Sequence, residues 1–153
     1  MLRDPETLHP LLLPIYFEHM RRMRSAGLIP VPYFFWRSKK AQDLLYESGR
    51  TMPGRLLTYA RGGQSWHNVE RFGLPASLAY DLILVAVGGR DALPDDDAAW
   101  TIAGELGEGL GLTWGGRRRS LDMGHYQLDD RGELSLSRAM AGEDPKQEQQ
   151  GGK

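Results

Sequence analysis

The chain has 153 residues, a length that suits one domain, and 41% of them are hydrophobic, enough for one modest core. Nineteen basic residues nearly cancel twenty acidic ones, which removes the usual electrostatic case for a nucleic-acid partner. With no cysteine, disulfides, thiolate metal sites and cysteine nucleophiles are excluded.

Met1-Leu2-Arg3-Asp4-Pro5-Glu6 has no apolar core of the signal-peptide kind. The protein is expected to stay in the cytoplasm until something else releases it. The longest strongly apolar stretch, residues 82–87, is too short to span a bilayer, so no membrane insertion is expected. Asp4 and Pro5 read as a helix start. Leu13, Tyr16, Phe17, Met20 and Met23 recur at helical spacing, Pro10 and Pro14 divide the region, and Gly27 ends it. Arg21, Arg22 and Arg24 cluster near that end, where the helix dipole favours cations.

Residues 28–36 read as a strand, and Pro30 and Pro32 push it to a sheet edge. Residues 39–48 predict a helix with Ala41, Leu44 and Leu45 on its buried side and Gly49 as its stop. Residues 50–70 form a long polar loop carrying Pro53, Gly54, Gly62 and Gly63, and loops of this length are usually functional or disordered. Residues 78–87 predict a central strand ended by Gly88-Gly89. Residues 95–110 predict a helix with Asp95 to Asp97 at its N-terminus, and residues 112–114 and 125–128 two short strands. Residues 142–153 are a polar tail expected to be disordered, leaving residues 1–141 as the domain. The expected class is a small α+β domain with a mainly antiparallel sheet flanked by helices.

Four histidines are present. His9 and His19 read as structural. His67 lies within the glycine-rich loop and His125 begins a short strand. Asp81 interrupts an apolar strand, where a carboxylate is costly unless paired or metal-bound. Two histidines and one carboxylate supply the three protein ligands of a catalytic zinc site, with a fourth position for water. The same set suits non-haem iron, and an arginine partner for Asp81 is the plain alternative. Ser65 and Ser77 lack the setting of a serine nucleophile.

Several segments, in order, carry a family resemblance. Trp36-Arg37-Ser38 is followed by Gln42-Asp43-Leu44-Leu45-Tyr46-Glu47-Ser48-Gly49-Arg50-Thr51. Then come Gly63-Gln64-Ser65-Trp66-His67-Asn68 and Pro75-Ala76-Ser77-Leu78-Ala79-Tyr80-Asp81. Trp114-Gly115-Gly116 and Asp122-Met123-Gly124-His125-Tyr126-Gln127 complete the set. Over residues 5–128 the chain resembles the zinc D-alanyl-D-alanine peptidase superfamily (the Hedgehog/DD-peptidase fold), and within it the endolysin and cell-wall L-alanyl-D-glutamate peptidase branch.

The resemblance implies Zn2+ held by His67, Asp81 and His125. It also implies Asp122 as the acid/base residue and Arg37 against substrate or a developing oxyanion. The implied substrate is the peptidoglycan stem peptide, and the expected state is a monomer. Other readings are a D-alanyl-D-alanine carboxypeptidase and a non-catalytic wall-binding or phage structural module. The pattern departs from the family at Leu78, where arginine is common, and at Arg117, Arg118 and Arg119, which replace acidic and aromatic residues. For Asp122 the plain alternative is a turn cap, and for Arg37 a surface salt bridge. Trp66 and Trp114 could floor a groove or fill the core, and Arg117 to Arg119 could attract anionic wall polymer or form a solvated turn.

Overall fold

The computed structural model describes residues 4–85, 97–119 and 121–146. Four strands form one antiparallel sheet: β1 (Ile29–Phe34), β4 (Ala79–Val85), β5 (Thr113–Trp114) and β6 (His125–Gln127), in the order β1-β4-β6-β5. The prolines of β1 sit at the sheet edge as expected, since proline has no N–H to donate and the outer side of an edge strand has no neighbour to receive one. Between β1 and β4 lie α2 (Lys39–Glu47) and a small hairpin of β2 (Glu70–Arg71) and β3 (Leu74–Pro75). The sequence does not announce this hairpin, because two-residue strands leave no periodicity to read. The result is a small α+β domain with an antiparallel sheet flanked by helices.

Helices α1 (Leu12–Ser25) and α3 (Asp97–Gly109) cover one face of the sheet. Leu12, Tyr16, Met20 and Met23 of α1 and Trp100 and Ala103 of α3 meet Tyr80, Leu82 and Leu84 of β4 in one core. Phe17 is 56% exposed, one position outside the α1 stripe. Gly27, at φ +85°, ends α1 in the left-handed region that glycine tolerates. Residues 86–96, including the expected Gly88-Gly89 strand end and Asp95 and Asp96 of the helix start, lie outside the described residues. Among the described residues, no helix is long and apolar enough to cross a membrane.

Helix α2 departs from expectation. Leu44 is 56% exposed and the fully buried residue is Gln42. This helix packs on the segment after it rather than on the apolar core, so its inward face needs hydrogen bonds. Gln42 Nε2 donates to the Ala60 carbonyl at 2.9 Å, and its Oε1 accepts from Arg37.

Residues 142–146, the start of the segment expected to be a tail, run back across the domain. Asp144 accepts from His9 Nε2 at 2.8 Å and from Arg71 at 3.1 Å, and the Lys146 amide donates to Asp130. The rest of that segment, residues 147–153, lies outside the described residues. A final short helix, α4 (Leu136–Met140), caps this end, with Ser135 accepting from the Arg138 amide.

His19 is a buried core histidine, as its sequence setting suggests. Its Nε2–H donates to the Ala103 carbonyl at 2.8 Å, so Nδ1 accepts from the Tyr80 hydroxyl at 2.7 Å. Burial pushes the imidazole down to about 4, and the Arg22 charge acts the same way against the opposing Ala103 bond. The folded state therefore favours neutral His19, whereas the unfolded chain takes up a proton near pH 6.5. Stability from this group is full above pH 6.5 and drains away as pH falls towards 4, by about 3 kcal/mol in all. Chemical denaturation of wild type and His19→Gln across this window checks it. Equal pH slopes would show that His19 does not contribute.

Candidate metal centre

The alternation of β4 explains how an aspartate fits an apolar strand. Tyr80, Leu82 and Leu84 point into the core, so Asp81, Ile83 and Val85 point to the opposite face of the sheet. There Asp81 stands directly across from His125 in the β4–β6 ladder. The core face bears the helices, and a cleft of about 310 Å³ opens beside Asp81. Its lining includes Tyr33, Phe34, Asp81, Ile83, Trp100 and Asp122.

His67 arrives from the glycine-rich loop, on a single 3-10 turn, Trp66–Asn68. Ser65 caps this turn by accepting from the His67 amide, while Asn68 Oδ1 accepts from the Ser65 amide in return. The His67 carbonyl accepts from the Arg37 amide, and Asn68 Nδ2 donates to the Arg37 carbonyl. The turn is thus tied to the segment that follows β1. The Ser-Trp-His-Asn run holds a histidine rigidly without a long helix or strand.

His67, Asp81 and His125 converge, with one ligand atom from each lying within 4.8 Å of the others. His67 Nε2 is 3.2 Å from Asp81 Oδ2, and His125 Nδ1 is 2.9 Å from Asp81 Oδ1. The far nitrogen of each ring is occupied. His67 Nδ1–H donates to the Phe35 carbonyl at 2.6 Å, and His125 Nε2–H donates to Gln127 Oε1 at 2.8 Å. These bonds fix both tautomers, so each neutral ring turns a lone pair towards the Asp81 carboxylate. Acceptors facing one another are held stably only by a cation between them, either a proton or a metal ion.

The electrostatics agree. Burial by itself raises the Asp81 carboxyl pKa, but the two imidazoles pull it far below the usual carboxylate range. For His125, burial alone lowers the pKa, and the Asp81 hydrogen bond and charge outweigh it, so the net shift is upward. The donor set of two imidazole nitrogens and one carboxylate fits a divalent borderline metal, and the fixed tautomers leave the right atoms free. Among the described residues the close polar contacts of Asp81 are the two histidines and not an arginine.

Asp122 lies at the cleft rim, three residues before His125, and its carbonyl accepts from the His125 amide at 3.2 Å. Its carboxylate makes no hydrogen bond among the described residues, so it does not cap the turn it stands in. Although the residue meets solvent, the surrounding protein desolvates its carboxyl. That and the nearby Asp81 charge raise its pKa, against the charges of His125, His67 and Arg118. Gly115 allows this turn to form: a Cβ there would stand 2.4 Å from the Asp122 carbonyl oxygen. Gly124 does the same against β4, where a Cβ would be 2.2 Å from the Leu82 carbonyl oxygen.

Arg37 is buried, not a surface ion-pair partner. Its Nη1 donates to Gln42 Oε1 at 2.7 Å and its guanidinium lies 4.7 Å from the Phe34 ring centroid. Its Nε has no hydrogen-bond partner among the described residues. Burial lowers its pKa, and the Asp81 charge opposes that. A buried cation thus lies near enough to Asp81 to feel its charge, with donor capacity to spare.

Of the basic run, Arg117 pairs with Glu108 at 2.9 Å and lies 5.1 Å from the Trp114 ring centroid, while Arg118 donates to Gln127 Oε1 at 2.5 Å. Trp114 is a core residue whose indole N–H donates to the Met123 carbonyl. Gln42 and Gln127 carry structural roles that residue type and spacing did not reveal. Their only signal was their place inside the ordered segments.

No family model matches the chain. A search of curated proteins finds the peptidoglycan L-alanyl-D-glutamate endopeptidase CwlK of Bacillus subtilis (strain 168), 32% identical over 132 residues. The match covers 81% of this chain and 75% of that protein. This chain belongs to that family. Overall sequence similarity gives the family, and side-chain geometry gives the His–His–Asp cluster. Together they are consistent with a metal-dependent enzyme acting on peptidoglycan.

Proposed function

We propose that the chain is a zinc peptidase with the Hedgehog/DD-peptidase fold that hydrolyses L-alanyl-D-glutamate bonds in peptidoglycan as a monomer. The observation that carries this reading is the convergence of His67, Asp81 and His125, with both ring tautomers locked to point lone pairs at one place. Kinship with an endopeptidase of that bond supports the choice of substrate.

Held by His67, Asp81 and His125, zinc would bring the pKa of a water down to about 7 and polarise the scissile carbonyl. The remaining work falls to the chain's own side chains. The Asp122 carboxylate takes a proton from the attacking water as its oxygen bonds to the carbonyl carbon. Asp122 then gives that proton to the departing amine nitrogen as the C–N bond breaks. Its raised pKa suits both halves, since a carboxyl that holds its proton more firmly is a better base and still a competent acid. The Arg37 guanidinium lends positive charge to the carbonyl oxygen as it becomes anionic. The cleft, walled by Tyr33, Phe34 and Trp100, receives the extended stem peptide.

The decisive experiment is digestion of purified peptidoglycan with and without a chelator, the fragments being read by mass spectrometry. Splitting of the stem between alanine and glutamate is expected, with loss of activity in chelator and recovery on adding zinc. Release of terminal alanine instead would make the enzyme a carboxypeptidase. Undiminished digestion in chelator would remove the metal from the mechanism.

A further inference from the structure

Behind His125 runs a buried chain of hydrogen bonds whose direction is set two residues beyond the end of β6. Asp129 is 5% exposed, and its carboxylate can only accept. Oδ1 accepts from the Thr113 hydroxyl at 2.6 Å and from the Gly132 amide at 3.0 Å. Oδ2 faces Gln127 Nε2 at 2.6 Å. The Gln127 amide must therefore turn its NH2 towards Asp129 and its oxygen the other way. That oxygen accepts from His125 Nε2–H at 2.8 Å and from Arg118, a residue that can only donate, at 2.5 Å. Donor-only and acceptor-only groups at the two ends leave the amide one orientation, and Gln127, at 4% exposed, has little water to accept a flip.

We propose that Asp129, through Gln127, dictates which ring nitrogen of His125 is free to bind the metal. Asp129 is a positioning residue, two hydrogen bonds removed from the cluster. If it offered a donor in place of Oδ2, Gln127 would turn over, the exposed Arg118 side chain swinging away from it, and present its NH2 to His125 Nε2. His125 would then carry its proton on Nδ1, pointing at Asp81, with no lone pair there for a metal. The inference deepens the reading of this site as a metal centre and rests on it. It adds that metal affinity is controlled by the polarity of a group that touches neither metal nor substrate.

The test uses zinc affinity, measured by chelator competition on the whole protein, with folding followed by circular dichroism. Asp129→Asn keeps the Thr113 and Gly132 bonds through its remaining oxygen and reverses only the group facing Gln127. It is expected to weaken zinc binding by about 10–100-fold, the usual cost of losing a ligand's outer partner. The double variant Gln127→Glu/Asp129→Asn restores complementarity. Its new amide donates to one oxygen of its new carboxylate, and the other oxygen accepts from His125 and Arg118. Affinity is expected to return to within a few-fold of wild type. A role for Asp129 confined to shaping the turn after β6 cannot produce that rescue. Should Asp129→Asn fail to fold, Gln127→Met breaks the same chain and is expected to weaken zinc to the same degree. Wild-type affinity in whichever of these folds overturns the inference while leaving the metal centre standing, as does a folded double variant that stays weak. A wild-type protein that binds no zinc overturns both.

Discussion

Asp122→Asn is expected to lower the rate of peptidoglycan digestion by about 10²–10⁴-fold, the usual contribution of general acid–base catalysis, and to leave zinc content unchanged. The shape of the side chain is kept and only its basicity is lost. Asp122 has no side-chain hydrogen bond to lose among the described residues, and its interaction with the cluster is one of charge. Asp81→Asn is expected to behave otherwise. Asp81 is the carboxylate towards which both histidines turn, at 3.2 and 2.9 Å, so its neutralisation removes a ligand charge from the centre. Zinc affinity and activity should fall together. Zinc analysis and digestion rates on the two variants side by side make the comparison. Loss of zinc from Asp122→Asn with retention in Asp81→Asn would mean that the two aspartates have exchanged roles. Full activity in Asp122→Asn would place the proton transfer elsewhere.

Arg37→Ala is expected to reduce kcat/KM by about 10²–10³-fold, in line with loss of an oxyanion donor, with zinc content preserved. The geometry makes the effect separable from folding in a definite way. Gln42 anchors the guanidinium, but it also donates to the Ala60 carbonyl, so the 58–60 segment keeps an attachment when Arg37 is truncated. The Arg37 main chain still bonds His67 and Asn68, so the turn that presents His67 survives. Arg37→Lys is the informative companion. It retains the charge and loses the planar fork that Gln42 and the Phe34 ring hold in place, so partial activity is expected. Unchanged turnover in Arg37→Ala would reduce Arg37 to a packing residue.

The contrast between Leu44 and Gln42 shows where sequence reasoning stops. Helical spacing placed a helix at residues 39–48 within one residue, because Ser38 caps it and local propensity carries it. Spacing also marked the leucines as its inner face. That inference assumes an apolar partner, and here the partner is a polar loop, so a glutamine is buried and Leu44 is not. Asp81 is the reverse case. Its type and setting flagged it correctly as abnormal, but whether it was costly depended on which face of β4 it occupied.

Sequence alone determined the α+β character, the edge placement of the proline-bearing strand, the central position of the strand bearing Asp81, and the ordered segments that led to the candidate site. These depend on local rules: periodicity, proline's missing donor, and glycine and capping residues at element ends. Only the tertiary structure decided that His67, Asp81 and His125 meet, because they lie on a loop turn and two strands whose pairing register brings Asp81 opposite His125. It alone shows Phe35 and Gln127 on the far nitrogens of the two imidazoles, with Asp129 behind Gln127. A hydrogen bond's direction depends on what stands at both of its ends, and those ends come from segments far apart in the chain.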